Sequence, residues 1–481
     1  MMSLVLSLCS LAVASEPLTL GEALRGALEA NPDFRTAELN LSQAEADVIA
    51  ARGAFDPTLS LSTGYDQSSS LFFLTGFPDP FDVDSSGWNA ASTLNATLPT
   101  GTSITFDSRL RQSRSEFVGF TGDVDQQLQF VPSFTATVSQ DLLRGVKMSF
   151  NLQQVKSAAL SRDRSELQLV AAQQQVLADV ARAYWAWVYQ AELAQIGRDS
   201  VAAAEEALRV ARLKVEAGEQ APLEEMRLSA ALVQAQTNAL DANNAADDAG
   251  DQLLLLIGRA PGVDVMPASM PGDAPSVALD ASEVARAARD GNLDLAVART
   301  QVEEARLALA AARHGQLPSL SADLSGGFAG GNDESWGAAF TQLDGFPTFS
   351  VGGRFDVPLG NRAAVGQTRR AEAALRIAEQ ALARSEREIQ ASAATQSRTV
   401  SSAREKVALA DANLALSEQT LAAQQALYDA GRIILSEVLD ARAEVERTRA
   451  EAIKARTDFR LAEVELLRLQ GGLSLDTMLV P

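Results

Sequence analysis

The chain has 481 residues, with 41 basic against 62 acidic side chains and a formal charge of −21. That balance argues against nucleic acid and against lysine-rich attachment to a membrane surface, because phosphate wants a basic face. No stretch of 18 apolar residues follows the N-terminus, so no transmembrane helix is read.

Residues 1–15, MMSLVLSLCSLAVAS, read as a signal peptide. The apolar run ends in Ala12-Val13-Ala14, an A-x-A site with cleavage before Ser15, although no Lys or Arg precedes the run. Cys9 is the only cysteine; a lipid anchor there is disfavoured by the bulky Leu8 before it. Removed with the signal, it leaves a mature chain with neither disulfides nor thiolate metal sites.

The rest is written twice. Thr19-Leu20-Gly21-Glu22 aligns with Asp280-Ala281-Ser282-Glu283, each a helix N-cap with Glu three residues on. Without a gap, Asn31 then falls on Asn292, Asp33 on Asp294, and Pro57-Thr58-Leu59-Ser60 on Pro318-Ser319-Leu320-Ser321. Each half therefore opens with one capped helix, about 20–53 and 281–314, and enters strands at a proline. Ala217-Gly218 aligns with Ala430-Gly431, Leu208 with Leu421 and Glu224 with Glu437. The first spacing is 261 residues and the second 213, so the first half carries about 48 extra residues in its strand region.

Between these landmarks the hydropathy alternates with period two. Leu59, Leu61 and Tyr65 oppose Ser60, Ser62 and Gly64; Trp88, Ala90 and Leu94 oppose Asn89, Ala91 and Thr93. Ile104 and Phe106, then Phe134, Ala136 and Val138, continue the pattern, as do Leu320–Phe328 and Phe349–Val357 in the second half. Loops rich in Gly, Ser, Asp and Phe are expected at 66–87, 112–130 and 329–346. This is the alternation of a membrane β-barrel, and equally that of a soluble sheet with one wet face. If the segments do cross lipid, four to six strands cannot close a barrel within one chain, and an open edge is not tolerated there; several chains must share the wall.

After each strand region come long helices. The first half runs from about 148 to 216, turns at Gly218 and returns from Pro222, a favoured first-turn position, to Ile257. Residues 261–278, rich in Pro, Gly and Asp, read as a linker. In the second half, small or apolar residues recur in steps of three and four from Val400 through Val407, Leu414 and Leu421 to Tyr428. The beat resumes at Ile434, Val438 and Ala441 and runs through Thr448, Ala452 and Phe459 to Leu469. A seam of this length makes helices supercoil against neighbours. Tyr184-Trp185-Ala186-Trp187 sits mid-helix and reads as core.

The two hairpin tips, Ala217-Gly218…Glu224 and Tyr428-Asp429-Ala430-Gly431…Glu437-Val438-Leu439-Asp440, together with the strand exit Ser139-Gln140-Asp141-Leu142-Leu143-Arg144-Gly145, resemble the TolC-like outer-membrane efflux proteins over roughly residues 18–470. The resemblance implies an α+β membrane protein, internally duplicated as helix, strands and long helical hairpin. It implies a homotrimer whose shared β-barrel of twelve strands, four from each subunit, continues as a long α-helical barrel through the periplasm. The repeats are then 16–260 (strands about 57–142, hairpin 148–257) and 279–471 (strands about 318–358, hairpin 363–469), followed by a tail, 472–481. The extra residues of the first half leave four or six strands per subunit open, the additional hairpin being 88–98 with 102–110.

The same resemblance makes Ala217, Gly218, Ala430 and Gly431 the tips on which a periplasmic adaptor docks. Glu224, Glu437 and Asp440 become acidic rings constricting the channel, and Tyr428 becomes part of its closed gate. Ile433 stands where an Arg is expected. The alternative for the glycines is a plain helix stop, and for the acids simple complementarity to a helix N-terminus. The implied partners are an adaptor (membrane fusion) protein, an inner-membrane transporter and outer-membrane lipid; the implied role is the exit duct of a tripartite efflux pump or type I secretion system. A periplasmic coiled-coil scaffold is the rival reading. No phosphate loop, dinucleotide fingerprint or G-x-S-x-G occurs, and the single histidine, His314, without cysteine partners makes a metal site unexpected, so neither enzyme nor cofactor is read.

Overall fold

The computed structural model describes residues 16–72, 81–118, 124–218, 221–263, 265–268 and 280–479. The signal peptide with Cys9, most of the linker and the last two residues of the tail lie outside them. In chain order the elements are β1 (Glu16–Leu18), α1 (Leu20–Ala30), α2 (Pro32–Arg52), β2 (Thr58–Phe72), β3 (Phe81–Thr97), β4 (Thr102–Val118), β5 (Val124–Asp141), α3 (Met148–Asn151), α4 (Gln153–Glu216), α5 (Pro222–Leu256) and β6 (Val265–Pro267). The second half adds α6 (Ala281–Gly291), α7 (Leu293–His314), β7 (Ser319–Ala329), α8 (Trp336–Thr341), β8 (Phe346–Asp356), α9 (Arg362–Asp429), α10 (Leu435–Leu469) and α11 (Leu475–Leu479). At 1.5 Å per residue, the 68 residues of α9 span about 100 Å.

The described residues form two compact units, and each draws on both halves of the duplication. One takes the chain up to Leu41, Arg164–Arg299 and the chain from Ala381; the other takes Ser42–Asp163 and Thr300–Gln380.

The first unit is helical. The heptad seams are buried as their spacing demands: Val400, Val407 and Ser417 on α9, and Val438, Ala441, Thr448, Ala452, Phe459 and Leu466 on α10. Where two polar residues meet in the seam they satisfy each other, Ser417 and Thr448 lying 2.7 Å apart. The aromatic cluster is core: Tyr184 is fully buried, its hydroxyl donates to the Leu18 carbonyl at 3.2 Å, and it packs edge-on against Trp185 and Trp187. That hydrogen bond anchors β1, which pairs in parallel with β6.

The single opening helix expected in each half is two helices. The break falls on Asn31 and Asn292, the residues the duplication aligned. Each is an extended C-cap of the first helix whose side-chain oxygen accepts from the start of the second: Asn31 from Asp33 N at 2.9 Å, Asn292 from Leu295 N at 3.2 Å. Each side-chain amide also donates to a last-turn carbonyl of the return helix of its own half, Leu256 at 3.5 Å and Leu469 at 3.0 Å. Helix periodicity alone does not show such a corner, because asparagine satisfies both broken ends at once. The capping boxes also differ. Thr19 and Glu22 complete theirs reciprocally, whereas Asp280 accepts only from Ser282.

The second unit holds an antiparallel sheet of six strands in the order β2-β3-β4-β5-β7-β8. This decides between four and six. β2 to β5 are 15 to 18 residues long and reach into 66–72, 81–87, 112–118 and 124–130, which the composition marks as loop. Alternation fades there because polar residues fall on both faces among the apolar ones, while backbone pairing carries the strands on. Segment 329–346 holds α8, capped by Ser335.

Replacing Asn292 with Ala removes a cap and a buried amide–carbonyl bond, so the unfolding midpoint of the detergent-solubilised protein should drop by the equivalent of about 1–2 kcal/mol. Asn31→Ala, whose longer bond is at the limit of hydrogen bonding, should cost less.

Candidate functional site

Two regions hold the residues that the sequence singles out. The first is the sheet. Leu59, Leu94, Phe106, Ala136, Gly326 and Phe349 lie opposite one another in a single row across all six strands. The next row, Ser60, Thr93, Asp107, Thr135, Gly327 and Thr348, is polar and faces the other way. The apolar face is bare: Leu61 is 74% exposed, Phe349 76% and Val351 70%. Water-soluble proteins do not leave such a face uncovered. The polar face satisfies itself across strands: Asn89 donates to Asp66 at 3.0 Å, Thr93 to Asp107 at 2.6 Å and Ser139 to Asp323 at 2.5 Å.

The apolar face ends in aromatics on the side away from the helix connections. Tyr65 and Trp88 touch at 5.1 Å between ring centroids. Phe130 and Phe134 are covered by Trp336 and Phe340 of α8, which lies on this face. An apolar band closed by an aromatic girdle is what a lipid–water boundary selects. About 9–11 tilted residues cross a bilayer, so β7 and β8, with 11 each, fit it closely, while β2 to β5 overrun it. The overrun is mixed, with Asp84, Arg114, Glu116 and Gln126 beside Leu71 and Leu128 on the side that is apolar lower down.

The second region is the pair of hairpin tips. Gly218 and Gly431 hold φ of +77° and +70°, and among the described residues no atom beyond their chain neighbours lies within 4 Å of where a Cβ would stand. At the second tip the Gly431 amide donates to the Tyr428 carbonyl and the Arg432 amide to that of Leu427, both at 2.9 Å, which ends the helix with paired carbonyls. Ala217 and Ala430 are exposed beside the glycines. Behind the tips, Leu208, Ala211 and Leu228 of α4 and α5 are buried against Leu435 and Leu439 of α10, so the two hairpins pack together.

Tyr428 meets a residue the sequence did not single out. Lys214 Nζ donates to its hydroxyl at 3.2 Å and stands 5.0 Å from its ring centroid, tying α4 to α9. Glu224 is half-buried and pairs with Arg227 at 3.3 Å, and Glu225 with Arg212 at 3.0 Å. Glu437 and Asp440 are both exposed on the first turns of α10, three residues apart and so on one face. The structure thus groups Glu437 with Asp440, and Tyr428 with Lys214. Further along the hairpins, burial pushes the Glu446 carboxyl above its usual range, against a hydrogen bond from Ser200 that lowers it. A hydrogen bond from Arg209 holds Glu206 below it. Lys214 was legible only as a basic residue in the last turn of a helix; its partner lies 214 residues away.

A sheet with a bare apolar belt, a polar reverse face and long helical hairpins defines a channel-forming protein of the bacterial outer membrane. The chain belongs to the outer membrane efflux protein family, whose profile matches residues 103–259 and 284–472. In fold it is similar to the MtrE outer-membrane channel of Neisseria gonorrhoeae in its open state (TM-score 0.68, 19% identity, 95% of this chain and 90% of that one). It is similar also to VceC of Vibrio cholerae (0.64, 17%, 94% and 96%) and to the CmeC channel of Campylobacter jejuni (0.64, 15%, 95% and 88%). A comparison with curated protein sequences finds no match.

Val351→Lys puts a charge on the apolar face and should cost about 2–4 kcal/mol per subunit if it lies near the bilayer centre. Ser350→Lys, one residue away on the polar face, should cost little. The yield of folded protein inserted into lipid vesicles separates the two; equal yields would reverse the assignment of faces.

Proposed function

We propose that three copies of this chain close one β-barrel in the outer membrane, and that their helices carry the duct into the periplasm. It would be the passive exit of a tripartite efflux pump or a type I secretion system. The observation that carries this is the open sheet. Among the described residues β2 and β8 have no strand beyond them, so each is an edge, and their apolar face demands lipid. Edges and lipid are compatible only if neighbouring copies pair them. A soluble scaffold would have to hide Phe349, Val351 and Leu61, all of which stand bare.

On this reading an adaptor docks at Ala217, Gly218, Ala430 and Gly431, and the energy comes from an inner-membrane transporter. The open ground around both glycines supports docking, since among the described residues none but their chain neighbours comes within 4 Å of the place of a Cβ. Glu437 and Asp440, exposed and repeated three times about the axis, would form an acidic throat that favours cations. Glu224, held by Arg227, contributes less charge. The gate is held within each subunit by the Lys214–Tyr428 contact, in place of the arginine that Ile433 replaces.

In planar bilayers, Glu437→Ala with Asp440→Ala should abolish cation preference and raise conductance. Lys214→Met should raise the frequency of open events several-fold while leaving selectivity intact. Selectivity and conductance identical to wild type in the double variant would refute the throat, and an unchanged opening frequency in Lys214→Met would refute the gate contact. Heat-resistant trimers in the outer-membrane fraction test the assembly itself; a soluble, extended monomer would overturn it.

A further inference from the structure

The polar face of the sheet carries two arginines in succession on β4. Every second residue of that strand faces this way, and the series runs Thr105, Asp107, Arg109, Arg111, Ser113. The register fixes their neighbours. Arg109 stands between Ala91 of β3 and Ser133 of β5, and Arg111 between Asn89 and Val131. β4 is an interior strand, so no second copy can lie beside it to supply a carboxylate. The acids nearest in the register already have other partners. Asp107 accepts from the Thr93 hydroxyl at 2.6 Å, and Asp66 of β2, in the row beyond Arg111, accepts from Asn89 Nδ2 at 3.0 Å. Both arginines are exposed, and among the described residues neither guanidinium makes a hydrogen bond or an ion pair.

Along a strand, residues two apart lie about 7 Å from one another on the same face. Two like charges so placed repel, and no acid stands opposite them on β3 or β5 to offset it. The helices treat their arginines differently: Arg313 holds Glu372 at 3.0 Å and Arg384 holds Glu388 at 2.9 Å. A guanidinium is a planar fork of donors that fits phosphate or carboxylate oxygens in pairs. Ala91, Ser133 and Val131 are short, so both forks have room to converge on one anion with several oxygens. In a chain of charge −21 an anion is otherwise repelled, so the pair is where it would rest. Asp107 before the pair and Asp66 beyond it keep the hold loose enough for release.

We propose that Arg109 and Arg111 are an anion-binding step on the channel wall, and that the cargo includes hydrated solutes carrying phosphate, sulfonate or carboxylate groups. This rests on the reading above, in which the polar face lines the lumen of a shared barrel. Each copy then contributes one such step. Lipid headgroups do not reach it, because they meet the other face, where Arg114 stands opposite Ser86.

Tripolyphosphate titrated calorimetrically into the detergent-solubilised full chain at low ionic strength should bind once per chain. Arg109→Gln or Arg111→Gln alone should weaken binding about tenfold, and the two together should abolish it, since each removes a charge-assisted fork. Arg114→Gln, on the opposite face, should leave the affinity unchanged. In planar bilayers tripolyphosphate should reduce the current of the wild type and not that of the double variant. No binding to the wild type, binding undiminished in the double variant, or an equal loss in Arg114→Gln overturns the site. Displacement of tripolyphosphate by micelles of an anionic phospholipid would assign the arginines to a headgroup and overturn the cargo class. The same samples run unheated on gels report assembly separately. Binding by a monomer upholds the site and fails the shared barrel; a heat-resistant trimer that binds nothing fails the site alone.

Discussion

A backbone amide or carbonyl without a partner costs several kcal/mol inside hydrocarbon, and water is not there to relieve it. That demand orders the strand half of this molecule. Within the sheet each strand from β3 to β7 has a partner on both sides, and only β2 and β8 face outward. Their apolar faces fix them at the depth where the demand is strictest. The same rule accounts for the unequal strand lengths. β7 and β8 have about the length that crosses a bilayer, while β2 to β5 run on with Asp84, Arg114 and Glu116 on the otherwise apolar side, as pairing and water allow once a chain is clear of lipid.

The helices answer a different demand. They expose few large apolar side chains in runs, and among the described residues none is long and apolar enough to cross a membrane. Their cohesion comes from narrow seams of small residues, where Ala441, Ala452 and Ala462 let α9 and α10 approach closely, and from single polar pairs such as Ser417 with Thr448. Many of the ion pairs along them are exposed and i,i+3 or i,i+4, such as Arg209 with Glu206 and Arg384 with Glu388, where water screens the attraction and each adds little to stability. They keep a charged rod soluble more than they hold it together.

What the sequence disclosed follows from this division. The seam from Val400 to Leu469, the two tips and the duplication were legible because close packing and φ above zero leave periodic or residue-specific marks. The middles of the strands were legible because one face meets lipid and the other water. The strand ends were not, since Ser68, Asp84 and Ser115 have water on both sides and nothing forces an alternation. The corners at Asn31 and Asn292 were visible as aligned residues but not as breaks, because one polar side chain capping two helices leaves the helical period intact around it. The Lys214–Tyr428 contact needed the third dimension.

If the tips are the gate, as proposed, little holds it shut. Across the hairpins near them there is one neutral acceptor for the Lys214 ammonium and a small cluster of leucines around Leu208 and Leu228. A hydrogen bond to a charged donor is worth about 1.5–3 kcal/mol when dry and less where water competes. Binding free energy from a docked partner easily exceeds that, so an adaptor engaging the bare ground at Gly218 and Gly431 need not strain a helix to part the hairpins. The strand wall, by contrast, cannot part without exposing its edges to lipid. On the proposed reading, movement is therefore confined to the end of the duct where the broken contacts can be rehydrated, and the membrane end stays a fixed opening.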